Sequence, residues 1–174
     1  MIQAQTLNRS LTEAVRPRIR ELDRFVADPA VTAFLSRAGQ EVLALLEQNP
    51  AEAAVAVTVP LQDLPVAPPS FIQTLRMAAF RPGLEMERER HPNSFQFLYC
   101  IEGTGETRVL RNGVWEADSY GSDRNEAFEN RWHAVPDNTW HQSVATGSAS
   151  WILATFHTAQ NVQDEYEVPI CPSP

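Results

Sequence analysis

The 174-residue chain has no apolar run long enough to cross a bilayer, and its start, MIQAQTLNRS, lacks the basic and hydrophobic blocks of a secretory leader. A cytoplasmic protein without membrane contact is the expectation. Cysteine is scarce. Cys100 sits in a strand-like run and Cys171 in the tail CPSP, which argues against a disulfide framework and suits a reducing compartment. Positive charge is short as well, with 14 basic against 22 acidic residues and a net charge of −8. Phosphate binding needs clustered cations, so nucleic acid is not an expected partner. The one gathering of arginines, Arg16, Arg18, Arg20 and Arg24, has Glu13, Glu21 and Asp23 among it and reads as a solvated helix face. Internal repeats are absent.

What is present points to one domain with an appendage, since 43% hydrophobic content over this length supports a single well-buried core. From Leu11 to Glu47 apolar residues recur at helical spacing, first as Leu11, Val15, Ile19, Leu22 and Phe25, then as Val31, Phe34, Leu35, Ala38, Val42 and Leu46. Two amphipathic helices follow, with Asp28-Pro29 as N-cap and first helical position of the second. Pro17 marks a start or a kink in the first. Four prolines between residues 51 and 70 favour extended chain, read as a linker or covering strand. From Phe71 the pattern turns to short strands over 72–80, 85–91, 95–101, 106–111, 132–135, 142–144 and 151–156. Arg111-Asn112-Gly113-Val114 is a tight-hairpin signal, and Ala117 to Arg131 reads as a long loop. The expected organisation is a helical extension over 1–50, linker over 51–70, β-barrel over 71–165 and tail over 166–174. Many short strands with Gly, Pro and Asn turns suit a jelly roll or sandwich.

Two spaced motifs sharpen this. Gly83 is followed by five residues, then Glu89-Arg90-His91, four residues to Gln96 and six to Gly103. Farther on, Pro136-Asp137-Asn138-Thr139-Trp140-His141 precedes Ala145 by three residues. In spacing and order these resemble the two consensus motifs of the cupin family, over roughly residues 70 to 160. The chain departs at Glu89 for the first His, Gln96 for Glu, Asn138 for Gly and Ala145 for Asn. The resemblance implies a mainly β cupin jelly-roll barrel, here carrying a two-helix N-terminal extension. It implies nothing about which reaction is run, because one fold hosts many activities.

Side chains alternate along a strand, so Glu85, Glu87, Glu89 and His91 are expected on one face, which lines the barrel interior in the family. The resemblance then implies a metal site of Glu89, His91 and His141, with Gln96 as a weak or outer ligand. Two His and one carboxylate suit one divalent transition metal ion such as Fe, Mn, Ni or Zn. Loss of the usual Glu at position 96 leaves a metal-free pocket as the alternative. His133 and His157 are read as core or rim histidines outside the ligand set. Cys100 shares the face of Gln96 and borders the pocket or serves as a small buried hydrophobe, while Tyr99 points the other way. Trp115, Trp132, Trp140 and Trp151 supply bulk for the core or a pocket wall. The functional expectation is a metal-dependent cupin acting on a small molecule, first as a dioxygenase-like oxidoreductase. The alternatives are a non-catalytic binding or sensing cupin and an isomerase or lyase. A homodimer is expected, because bare apolar strand edges are a liability.

Overall fold

The computed structural model describes residues 12–123 and 125–167. Leu11, the first residue of the helical stripe, and Cys171 lie outside the described residues. Helix α1 (Arg16–Ala27) begins with Pro17 in its first turn, where the missing N–H costs nothing. Asp28 caps α2 (Pro29–Gln48), its carboxylate accepting from the amides of Ala30 at 2.8 Å and Val31 at 3.4 Å. One stripe of each helix is buried: Ile19, Leu22, Phe25 and Val26 on α1, then Val31, Leu35, Ala38, Val42 and Leu46 on α2.

The remaining chain forms β1 (Ala54–Val59), β2 (Thr74–Phe80), β3 (Glu89–Arg90), β4 (Gln96–Glu102), β5 (Thr104–Arg111), β6 (Val114–Gly121), β7 (Trp132–Val135), β8 (His141–Ala145), β9 (Trp151–His157) and β10 (Glu165–Tyr166). These build two antiparallel five-stranded sheets. Sheet A has the order β1-β2-β9-β4-β7, and sheet B has β10-β3-β8-β5-β6. The architecture is thus mainly β with two N-terminal helices, as the motifs and strand pattern imply.

The helices pack on the outer face of sheet A. Leu75, Met77, Ala79, Phe97, Tyr99, Trp132, Ile152 and Phe156 join the helical stripes in one core. Residues alternating with them, among them Ala78, Phe80, Leu98, Cys100, Trp151 and Leu153, face sheet B and form a second core. Tyr99 therefore does point away from Gln96, toward the helices. Buried on both faces, β2, β4, β7 and β9 of sheet A read as largely apolar runs, and every residue of β9 is buried, whereas edge strand β1 is only partly covered.

One expected loop is largely a strand. Asn112 and Gly113 at φ 51° and 78° make a two-residue turn that pairs β6 with β5 over eight positions, from Thr104–Gly121 to Arg111–Val114. The reading of Ala117 to Arg131 as loop missed this because β6 sits at the edge of a solvated sheet. Only Asp118 and Tyr120 on it are buried, so its alternation is too sparse to stand out.

Candidate metal centre

Glu89 on β3 and His141 on β8 are direct partners across the ladder of sheet B, so their side chains stand on one face. His91 follows one residue after β3. Its carbonyl accepts the amide of Asn138 at 2.9 Å, which ties the second sequence motif to the first. Asn138 has φ 54°, a left-handed conformation that favours glycine but that Asn tolerates. The replacement of the family's Gly there preserves the turn. Gly103, at φ 81°, has no such latitude, because an added Cβ would come within 2.6 Å of Ser150 O.

Glu89, His91 and His141 each offer one ligand atom, and these atoms lie within 4.8 Å of one another. The imidazole rings of His91 and His141 are 5.1 Å apart. His141 Nδ1 is 3.0 Å from the carbonyl of Thr139. A carbonyl only accepts, so Nδ1 carries the proton and Nε2 of the neutral ring is an electron-pair donor. That Nε2 lies 3.4 Å from Glu89 Oε1. Two electron-pair donors this close in a buried site need a positive charge between them, either a proton or a metal ion. The chemistry of the three donors and the orientation of His141 by a backbone carbonyl fit one divalent transition metal ion.

Asp164 approaches His91 Nδ1 to 2.9 Å without aligning as a hydrogen bond, and both of its oxygens are held by Arg76 at 3.0 Å. Burial pushes the Glu89 carboxyl up, but His141 and then His91 outweigh it and hold the pKa below the usual carboxylate value. Burial holds His91 below its ordinary value, with Glu89 opposing. Both shifts favour the deprotonated forms of Glu89 and His91, which are the forms that bind metals.

Glu89 and His91 of the triad line a cavity of about 210 Å³ between the sheets. Gln96 lines it from sheet A, 5% exposed, with no partner for Oε1. Of the four residues expected at the metal site, Glu89, His91 and Gln96 line this space, and His141 is grouped with Glu89 and His91 without lining it. His157, set aside as a core or rim residue, lines the same cavity. It pairs directly with Gln96 across the ladder, is fully buried, and has no partner for Nε2. Burial, then His91, holds its pKa well below the ordinary value. Its position two places beyond Thr155 on a β-strand was the signal available, since every second residue of β9 shares the interior face. His133 is buried but is not a lining residue; it stacks on Tyr120 with ring centroids 5.6 Å apart.

Two further expectations are corrected. Glu85 and Glu87 do not share the interior face with Glu89 and His91. The chain over 85–88 is not continuous strand, and Met86 lines the cavity while both carboxylates are exposed. Met86 is held inward by its own backbone, its N–H donating to Ser143 O at 2.9 Å and its carbonyl accepting from Gln142 Nε2 at 2.7 Å. Glu85 instead meets Arg108 at 3.3 Å on the surface. Cys100 does not border the cavity; its thiol takes the indole N–H of Trp151 at 3.3 Å, and burial pushes its pKa up to about 12.

No protein-family model and no curated protein matches the chain. Solved structures do. Oxalate oxidase in complex with glycolate superposes with a TM-score of 0.53 at 11% identity, over 66% of this chain and 55% of that one. The formate complex of Lactobacillus farciminis oxalate decarboxylase gives 0.53 at 16% identity, over 66% of this chain and 31% of its own. Bacillus subtilis oxalate decarboxylase gives 0.53 at 16% identity, over 66% and 28%. This chain therefore spans about half the oxalate oxidase and under a third of the decarboxylases. These neighbours are cupins, and the fold described above is the cupin fold.

Proposed function

We propose that the chain is a metal-dependent cupin acting on a small molecule, with a dioxygenase-like oxidation as its reaction. The observation that carries this reading is the pair of facing electron-pair donors, Glu89 Oε1 and His141 Nε2, 3.4 Å apart beside His91, with Glu89 and His91 lining an internal cavity. Glu89, His91 and His141 would hold the ion, with Gln96 as a weak or outer donor. When bound, a divalent ion supplies Lewis-acid or redox chemistry at this point. The protein's part is to fix the His141 tautomer through Thr139, to steady His91 beside Asp164, and to keep the donors out of bulk water. Isomerase or lyase chemistry could use the same residues, and the neighbours include both an oxidase and decarboxylases.

Elemental analysis of protein purified without chelator, and after incubation with Fe, Mn, Ni or Zn, is the test. About one ion per chain is expected. Well under a tenth of an ion would overturn the metal reading and leave a metal-free binding or sensing cupin in its place. A homodimer in the cytoplasm completes the proposal: the free buried thiol of Cys100 suits a reducing compartment, and edge strands β6 and β10 offer pairing surfaces. Light scattering at the 19.5 kDa mass of one chain would rule out the dimer. Among the described residues no helix is long and apolar enough to cross a membrane.

A further inference from the structure

Three neighbouring strands of sheet A each pass from polar to apolar along the cavity, β4 one residue pair ahead of β2 and β9. Lining it, β2 runs Arg76, Ala78, Phe80; β4 runs Gln96, Leu98; β9 runs His157, Thr155, Leu153. The register aligns these sequences in space, with Gln96 opposite His157, then Leu98 opposite Thr155 and Arg76, then Ala78 opposite Leu153. The polar row lies at the metal donors. Beyond it the sheet A wall is hydrocarbon, with Met86 and the small Ser143 on the sheet B side.

Charge at the polar end can be counted. The chain has no lysine, and among the described residues Arg76 is the one arginine lining the cavity, its guanidinium matched by the two oxygens of Asp164. A divalent ion on Glu89 and two neutral imidazoles leaves a single positive charge. A buried net charge is costly unless compensated, so one negative charge completes the site and a second finds no cation. His157 Nε2, buried and short of a partner, remains to receive the polar head, whereas the orphaned atom of Gln96 is the acceptor Oε1, which serves an anion only with the amide turned to present its NH2. The cavity of about 210 Å³ has the volume of roughly seven waters at ~30 Å³ each.

Resting on the metal reading above, we infer that the cavity takes a small monoanion with an aliphatic tail, its anionic head at the metal and its tail along Ala78, Leu98, Leu153 and Phe80. A doubly charged, tail-less molecule such as oxalate is not what these walls fit. The test is calorimetric titration of the Co2+-loaded protein with acetate, butyrate, hexanoate, hexanamide and oxalate. Each buried methylene should strengthen binding about fourfold, so hexanoate should bind at least tenfold more tightly than acetate. Hexanamide, matched in shape but uncharged, should bind at least tenfold more weakly than hexanoate. Leu98→Trp should bring hexanoate down to the affinity of acetate while leaving Co2+ stoichiometry at one per chain. If that variant does not fold, the chain-length series on the unaltered protein decides. Acetate and hexanoate within twofold of each other, hexanamide equal to hexanoate, or oxalate tighter than hexanoate would each overturn the inference while leaving the metal site standing. Failure to take up Co2+ at all would overturn both, and the ligand-free protein shows that separately.

Discussion

The two sheets share one cavity but treat it differently. Apart from edge strand β1, sheet A is buried on both faces, clamped between the helices and the interior, and contributes Gln96 and His157 with the apolar walls. Sheet B is solvated on its outer face and contributes Glu89 and His141, with His91 one residue past β3. The chemistry-bearing donors therefore stand on the less enclosed sheet, where loops and edges can be rearranged. The shape of the cavity stands on the sheet that packing constrains most, because a two-faced strand cannot change one side chain without disturbing a core.

Removing the helices should have the largest effect. Deleting residues 1–50 strips the outer face of sheet A, exposing Leu75, Met77, Phe156 and Ile152. The truncated chain should aggregate or melt far lower in a thermal scan; unchanged solubility and melting would show that sheet A needs no cover. Next comes the donor set. His91→Ala and His141→Ala should abolish metal binding by elemental analysis. Glu89→Gln should weaken it by more than about a hundredfold, since loss of even an outer partner typically costs 10–100-fold. Gln96→Ala should cost far less, and the reverse ranking would move the carboxylate out of the site.

A smaller contrast compares aromatics on the two sheets. Trp132→Ala, fully buried between sheet A and the helices, should cost about 3–5 kcal/mol in urea unfolding. Trp115→Ala, half-buried on β6 beneath Arg88, should cost under about 1 kcal/mol. Equal losses would mean sheet B is packed as heavily as sheet A. The smallest effect concerns pH. Burial holds the folded-state pKa of His133 and His157 well below 6.5. The unfolded chain thus binds more protons below that value, so stability is full above pH 6.5 and falls as pH drops beneath it. Each such histidine contributes a slope of at most about 1.4 kcal/mol per pH unit. His133→Gln should flatten the melting-temperature profile between pH 6.5 and 5 by one histidine's share, whereas an unchanged slope would mean His133 is protonated when folded.

The helices, the hairpin at Asn112-Gly113 and the proximity of Glu89, His91 and His141 were readable because each rests on a local rule: helical period, positive-φ turn residues, motif spacing. What escaped reading depended on tertiary context. Strict alternation placed Glu85 and Glu87 inside, yet backbone bonds from Ser143 and Gln142 turn Met86 inward and shift the frame before Glu89. His157 looked like any strand histidine, and only its register opposite Gln96 brings it to the cavity. β6 hid among polar residues because one of its faces meets water. No periodicity foretold Asp164, which reaches His91 from far along the chain.

That last segment has a consequence for traffic. The stretch from Asp164 to Glu167 flanks the cavity with Tyr166 and adds only a two-residue strand to β3. Its side chains are fastened by opposite charges: Asp164 to Arg76, Glu165 to Arg90 and Glu167 to Arg88. Partly exposed pairs of this kind contribute little individually and weaken as salt shortens the range of Coulomb attraction. The segment behaves as an ionic latch on a hydrocarbon-lined vessel. Ligand exchange should quicken with ionic strength while the buried donors keep their hold on the metal, so the rate of entry and the grip at the bottom answer to different solvents.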